Sequence, residues 1–120
     1  MNKVDKIEAF KQRTKQLSIR VIKLFQALPK TDEARIIGKQ LLRSSTSVAA
    51  NYRAACRSRS GAEFYSKISI VVEEADETLF WLEILLEAKI IPEDKLTLLL
   101  KEYEEVVKIV TTVRHQSKQK

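Results

Sequence analysis

The sequence predicts an all-α fold, an up-down-up-down antiparallel four-helix bundle, from three observations. The 120 residues include only two glycines and two prolines, so there is little turn chemistry and the elements must be few and long. Apolar residues recur at spacings of three and four over four separate stretches, the period of one helix face. Breaks fall between those stretches at Pro29, at Ser58-Arg59-Ser60-Gly61 and at Pro92. The chain therefore reads as one domain over 1–120, with helices at about 5–28, 32–57, 61–89 and 92–114 and a frayed polar tail at 115–120. A domain of this size can bury a core without disulfides or metal.

The first helix carries Ile7, Phe10, Thr14, Leu17, Val21, Leu24 and Leu28 on one face. Pro29 ends it, because proline has no N–H to donate and restricts the residue before it. Lys3, Lys6, Lys11, Arg13, Lys15, Arg20 and Lys23 occupy the rest of its surface. Thr31 is the expected N-cap of the second helix, with Asp32 and Glu33 at its positive end. Ile37, Leu41, Val48 and Tyr52 form the apolar face, beside the small residues Ser44, Ser45, Ala49, Ala55 and Cys56, which let a neighbour approach closely. At about 100° per residue, Arg35, Lys39, Arg43, Arg53 and Arg57 fall within an arc of roughly 80°, nearly opposite that face.

Ser60 followed by Glu63 fits a capping box for the third helix. Phe64, Ile68, Val71, Ala75, Leu82 and Leu85 form one stripe and Tyr65, Val72, Leu79 and Leu86 another, with Ile70, Trp81 and Ile84 extending the apolar surface. A face this wide implies either a central helix or one that meets a second subunit. Tyr65, Val72, Leu79, Trp81 and Ile84 are the candidate oligomer contacts. Pro92, Glu93 and Asp94 read as the first turn of the fourth helix. Its core face is Leu96, Leu99, Leu100, Tyr103, Val106, Val107, Val110 and Val113.

The net charge is +6 and is unevenly spread. Residues 1–30 carry eight positive and two negative charges and residues 31–60 six and two, whereas residues 61–91 carry two and seven. Such asymmetry suggests a polyanionic partner, or subunits that meet acidic face to basic face. The segment Met1 to Phe10 is charged and has no apolar core of a signal peptide, and no stretch approaches the roughly 18 apolar residues of a membrane span. The single cysteine, Cys56, fits a reducing compartment. A cytoplasmic location is expected.

No catalytic constellation is visible, so no enzyme activity and no cofactor are expected. Cys56 lacks a histidine partner and reads as a structural thiol. Gly38 and Gly61 are too few for a phosphate loop. Glu73, Glu74, Asp76, Glu77 and Glu83 bring carboxylates to the third helix, but the lone His115 lies in the tail and no Glu-x-x-His occurs, so metal binding is not expected. Those acids instead suit pairing with Arg or Lys of the second helix. The hydroxyls Ser44 to Ser47 read as small spacers bonded back to the preceding turn. Arg35, Lys39, Arg43, Arg53 and Arg57, with Lys11, Lys15 and Lys23, are the candidate phosphate contacts, since guanidinium groups bind phosphate bidentately. A solvated helix face would carry the same charges.

The run Leu41-Leu42-Arg43-Ser44-Ser45-Thr46-Ser47-Val48-Ala49-Ala50-Asn51-Tyr52-Arg53 resembles a known signature, as do Arg57-Ser58-Arg59-Ser60-Gly61-Ala62-Glu63-Phe64 and Glu74-Ala75-Asp76-Glu77-Thr78-Leu79-Phe80-Trp81-Leu82-Glu83. Together they resemble the bacterial four helix bundle protein family, also called the 23S ribosomal RNA intervening-sequence protein family. The resemblance covers nearly the whole chain, and Arg43, Ser47, Asn51, Arg57, Phe64 and Glu77 stand at motif positions. Glu73 and Glu74 depart from a small pair common there. The resemblance implies an up-down bundle that assembles as a ring-like homo-oligomer, a pentamer, and carries over no catalytic residue. A more distant likeness, to the accessory protein of diversity-generating retroelements, implies a reverse transcriptase or another protein as a possible partner. Two functions are therefore expected to compete. One is a self-associating bundle that binds RNA or DNA through the phosphate backbone. The alternative is a protein-interaction scaffold whose charge asymmetry drives assembly without nucleic acid.

Overall fold

The computed structural model describes residues 2–118 and consists of four long helices and one short 3-10 turn. Helix α1 spans Lys3–Ala27, α2 Asp32–Cys56, α3 Gly61–Glu87 and α4 Thr97–Lys118. Short connections force neighbours to be antiparallel, and α1 packs on α2, α2 on α3 and α3 on α4. The closing pair, α1 and α4, approaches less closely. The molecule measures 46 × 26 × 19 Å.

The caps explain most helix boundaries. Asn2 Oδ1 accepts from the Asp5 N–H at 2.8 Å, so α1 starts at Lys3, two residues earlier than the periodicity suggests. Thr31 caps α2 through the Ala34 N–H, and Ser60 caps α3 through the Glu63 N–H at 3.0 Å. Helix α3 closes on Lys89, whose φ of 55° is left-handed. The Ile90 N–H bonds to the Leu85 carbonyl and the Lys89 N–H to that of Leu86, the paired bonds of a Schellman turn.

Two expectations for the C-terminal part are corrected. The helix expected over 92–114 is interrupted. Pro92 has an extended ψ of 141°, Glu93–Lys95 form a 3-10 turn, and α4 begins only at Thr97. The tighter turn sets Leu96 into the core at 0% exposure, with Ile91 buried just before it. At the other end, residues 115–118 continue α4 and are not frayed, because no Gly or Pro interrupts them and Arg114 is anchored to α3. Residues 119 and 120 of the expected tail lie outside the described residues.

The core is the expected set of helix faces, with Leu41, Val48, Ile68, Leu82, Leu85, Tyr103 and Val106 fully buried. Each such leucine or isoleucine contributes about 1.5–3 kcal/mol through burial. At Gly38, a Cβ would stand 2.7 Å from Leu28 Cδ1 and 2.9 Å from Phe25 Cδ1, so glycine lets α1 close onto α2 there. A polar layer crosses this core. Ser18 Oγ donates to the Ser45 carbonyl at 2.9 Å, joining α1 to α2, and Thr78 Oγ1 donates to Ser44 Oγ at 2.9 Å, joining α2 to α3. Ser44, Ser45 and Thr46 also bond back to carbonyls one turn earlier, as expected of spacers. Asn51 bonds to Ser47 one turn back on α2, and Ser18 and Thr78 carry the connections between helices.

Candidate nucleic-acid interface

The arginine-rich arc of α2 does not act as one unit. Arg35, Lys39, Arg53 and Arg57 are exposed and form no ion pair among the described residues. Arg43, at the edge of the arc, leans across to α3. Its Nη1 donates to Glu74 Oε2 at 3.0 Å and its Nη2 to Glu77 Oε2. Trp81 Nε1 donates to the same Glu77 oxygen at 3.0 Å. The Trp81 and Arg43 hydrogen bonds hold the Glu77 carboxyl below the usual carboxylate range, and Glu77 in turn raises the Arg43 guanidinium. The pairing of α3 acids with α2 cations is thus formed within one subunit, and it removes Arg43 from the set free to meet phosphate.

The α1 candidates also separate. Lys11 Nζ pairs with Glu8 at 3.1 Å. Lys15 is exposed and unpaired among the described residues. Lys23 lines a cleft of about 490 Å³ between α1 and the start of α4, together with Arg20, Asp94, Lys95 and Leu98. Lys23 therefore serves a different face from the outer surface of α2.

Sequence reasoning passed over Arg13, which the structure makes central. Its Nη2 donates to Glu102 at 2.7 Å and its Nη1 to Glu105 at 2.9 Å, spanning the seam between α1 and α4. Burial lowers the Arg13 guanidinium, but the bonds to Glu102 and Glu105 outweigh it and leave it raised. Arg114 was also missed. It lies 5.4 Å from the centre of the Tyr65 ring and its Nε donates to Ser69 Oγ at 2.9 Å. Neither contact has a short-range sequence signal, because each joins helices whose register only the fold fixes.

The five candidate oligomer contacts are all half-buried but do not form one surface. At about 100° per residue, Tyr65, Val72 and Leu79 lie on one flank of α3, and Trp81 and Ile84 lie roughly 180° and 120° from its centre. Arg114 covers Tyr65 from α4, and Trp81 is tied to Glu77 beside α2. Much of the wide apolar face of α3 is thus used by neighbours on both sides, the central-helix arrangement. Phe80 remains 48% exposed beside Trp81.

Burial pushes the Cys56 thiol up, away from the reactive thiolate. Among the described residues no group of three or more His, Cys, Asp or Glu is placed to hold a metal, and no helix is long and apolar enough to cross a membrane.

A four-helix bundle with an exposed basic face on α2, and with Arg43 and Arg13 paired to acids of α3 and α4, is the class that fold and surface define. Residues 8–112 match the family described as 23S rRNA-intervening sequence protein, and the chain belongs to that family. It is also similar to a crystal structure of a protein of unknown function from the S23 ribosomal protein family of Bacteroides thetaiotaomicron VPI-5482. That similarity has 29% identity and a TM-score of 0.83, and it covers 92% of this chain and 98% of the other. No curated protein matches the chain.

Proposed function

We propose that the protein is a non-enzymatic, self-associating cytoplasmic bundle that binds RNA or DNA through the phosphate backbone. The observation that carries this reading is the outer face of α2. Arg35, Lys39, Arg53 and Arg57 stand there exposed and unpaired among the described residues, while acids of α3 and α4 are committed to Arg43 and Arg13. From residue 35 to residue 57 the face runs about 33 Å at 1.5 Å per residue, with Lys15 of α1 alongside. Nothing in the arrangement reads base edges, so sequence preference is weak. Titration of labelled RNA and duplex DNA by fluorescence anisotropy tests the reading. Four neutralised phosphates on a duplex give a slope of about −3.6 in log affinity against log salt, or roughly a hundredfold loss between 50 and 200 mM. Binding that is absent at physiological salt, or indifferent to salt, refutes it.

A second reading, the protein-interaction scaffold, is favoured by Phe80. Its half-exposed ring lies on the same side of α3 as Glu73, Asp76, Glu83 and Glu87, all exposed. An acidic, partly apolar face of this kind suits the basic helices of another copy, in the ring-like homo-oligomer that the family resemblance suggests. Sedimentation equilibrium of Phe80→Ser and Glu83→Lys variants tests it. Dissociation with nucleic-acid affinity unchanged favours the scaffold, and an unaltered oligomer counts against it.

A further inference from the structure

The helix order gathers charges that are distant in sequence. Helix α1 begins, α2 ends, α3 begins and α4 ends at the same end of the bundle. Side-chain contacts fix that arrangement: the Phe10 and Tyr52 rings are 4.9 Å apart, and Arg114 reaches Tyr65 and Ser69. Residues 2–8, 53–67 and 111–118 form this end and carry eight Lys or Arg against three Asp or Glu. The opposite end, residues 23–39 and 83–97, carries six of each. One end is therefore strongly cationic and the other is balanced.

The difference is local as well as total. Arg35 and Lys39 follow Asp32 and Glu33 on the first turns of α2, and Arg35 lies within about 5 Å of helix rise from both acids, inside the roughly 8 Å screening length at physiological salt. No carboxylate occurs from Arg53 to Ala62, where Arg57 and Arg59 stand exposed. Lys3, Lys6 and Lys118 are exposed beside them from α1 and α4, without ion pairs among the described residues. Clustered cations of one sign add their fields, whereas interspersed ones do not.

We propose that this end of the bundle is the principal nucleic-acid contact, a phosphate-binding cap built from all four helices. The inference rests on the nucleic-acid reading and moves its centre to Arg53, Arg57 and residues outside α2. The bundle is 26 × 19 Å across its long axis. A duplex crossing 26 Å presents about 15 phosphates at one per 1.7 Å of axis, ample for several contacts on its near side.

The test compares two charge-removed proteins with the unaltered chain, on the same labelled duplex over a salt series. The first carries Lys6→Gln, Arg59→Gln and Lys118→Gln, three cap positions outside α2. The second carries Lys30→Gln, Lys89→Gln and Lys95→Gln at the opposite end, none of them in the binding face of α2. All six positions are exposed, and circular dichroism and sedimentation of each variant are compared with those of the unaltered chain before binding is read. The cap variant is expected to lose about 100-fold in affinity and to flatten the salt slope by about 2.7. The opposite-end variant is expected to change less than twofold, and a Lys6→Arg, Lys118→Arg protein to keep its affinity. Equal losses in both variants, or a larger loss in the second, overturn the cap while leaving nucleic-acid binding intact. Absence of salt-dependent binding by the unaltered chain removes the binding reading and the cap with it.

Discussion

The α1–α4 seam offers the sharpest test of how this bundle closes. Its backbones approach less than those of the other neighbouring pairs, and the Arg13 fork spans the gap to Glu102 and Glu105. A unit-charge pair at about 4 Å gains roughly 4 kcal/mol at an effective dielectric of 20, before desolvation and side-chain ordering are subtracted. The Arg13 and Glu102 side chains are 28% and 35% exposed, so screening and desolvation both take a share. Glu105 is 62% exposed and adds little. Two N–H donors converging on one carboxylate oxygen, from a partly buried guanidinium, lift the pair to the upper end of surface bridges, about 1 kcal/mol.

A double-mutant cycle of Arg13→Met and Glu102→Gln, read by urea denaturation at pH 7, measures that coupling directly. Methionine keeps most of the aliphatic stem, so packing loss stays out of the interaction energy. We expect about 1 kcal/mol at low ionic strength, falling by roughly half in 0.5 M salt. A coupling below about 0.3 kcal/mol shows that buried contacts such as Leu17, Tyr103 and Val106 hold the seam, with the fork as decoration.

Three further outcomes follow from local geometry. Lys89→Gly relieves a left-handed lysine at the end of α3 and should stabilise the fold by about 0.5–1 kcal/mol in thermal unfolding, with no change in assembly. Thr78→Val keeps the shape but removes the donor to Ser44, which retains its own bond to Leu41, so the cost by denaturant titration should be about 1 kcal/mol and no more than 2. Because the folded Glu77 carboxyl titrates below its unfolded value of about 4.3, its contribution is complete above that pH and is lost as pH falls through the folded value. Glu77→Gln should therefore flatten the stability–pH curve below about pH 4.3 and leave its shape above pH 5 unchanged.

The helices were legible because their signals are local. Thr31, Ser60 and the three-and-four spacing all act within one or two turns, so α2 ends one residue from expectation and α3 two. The break after Pro92 was not legible. Pro92-Glu93-Asp94 is equally compatible with an α-helical first turn, and the burial of Leu96 decides for the 3-10 form. The left-handed turn at Lys89 was hidden for a related reason, since glycine usually marks such a turn and none is present.

The candidate site was less legible than the fold because charge periodicity fixes a face but not the register between faces. On a helical projection of α2, Arg43, Arg57 and Arg53 follow one another at steps of about 40° within one basic arc. The projection does not give what α3 and the helix ends place beside each of them. Arg43 meets Glu74 and Glu77 because Ser44 packs on Thr78 and sets the antiparallel register there. Four turns later on α2 the same register brings Arg57 level with the first turns of α3, where Glu63 is the one nearby α3 acid and no ion pair to Arg57 forms among the described residues. The α2–α3 register that closes the core therefore also decides which arginines are spent inside the bundle and which remain available to a partner. A change that slipped this register by one turn would alter the surface charge pattern without altering a single charged residue.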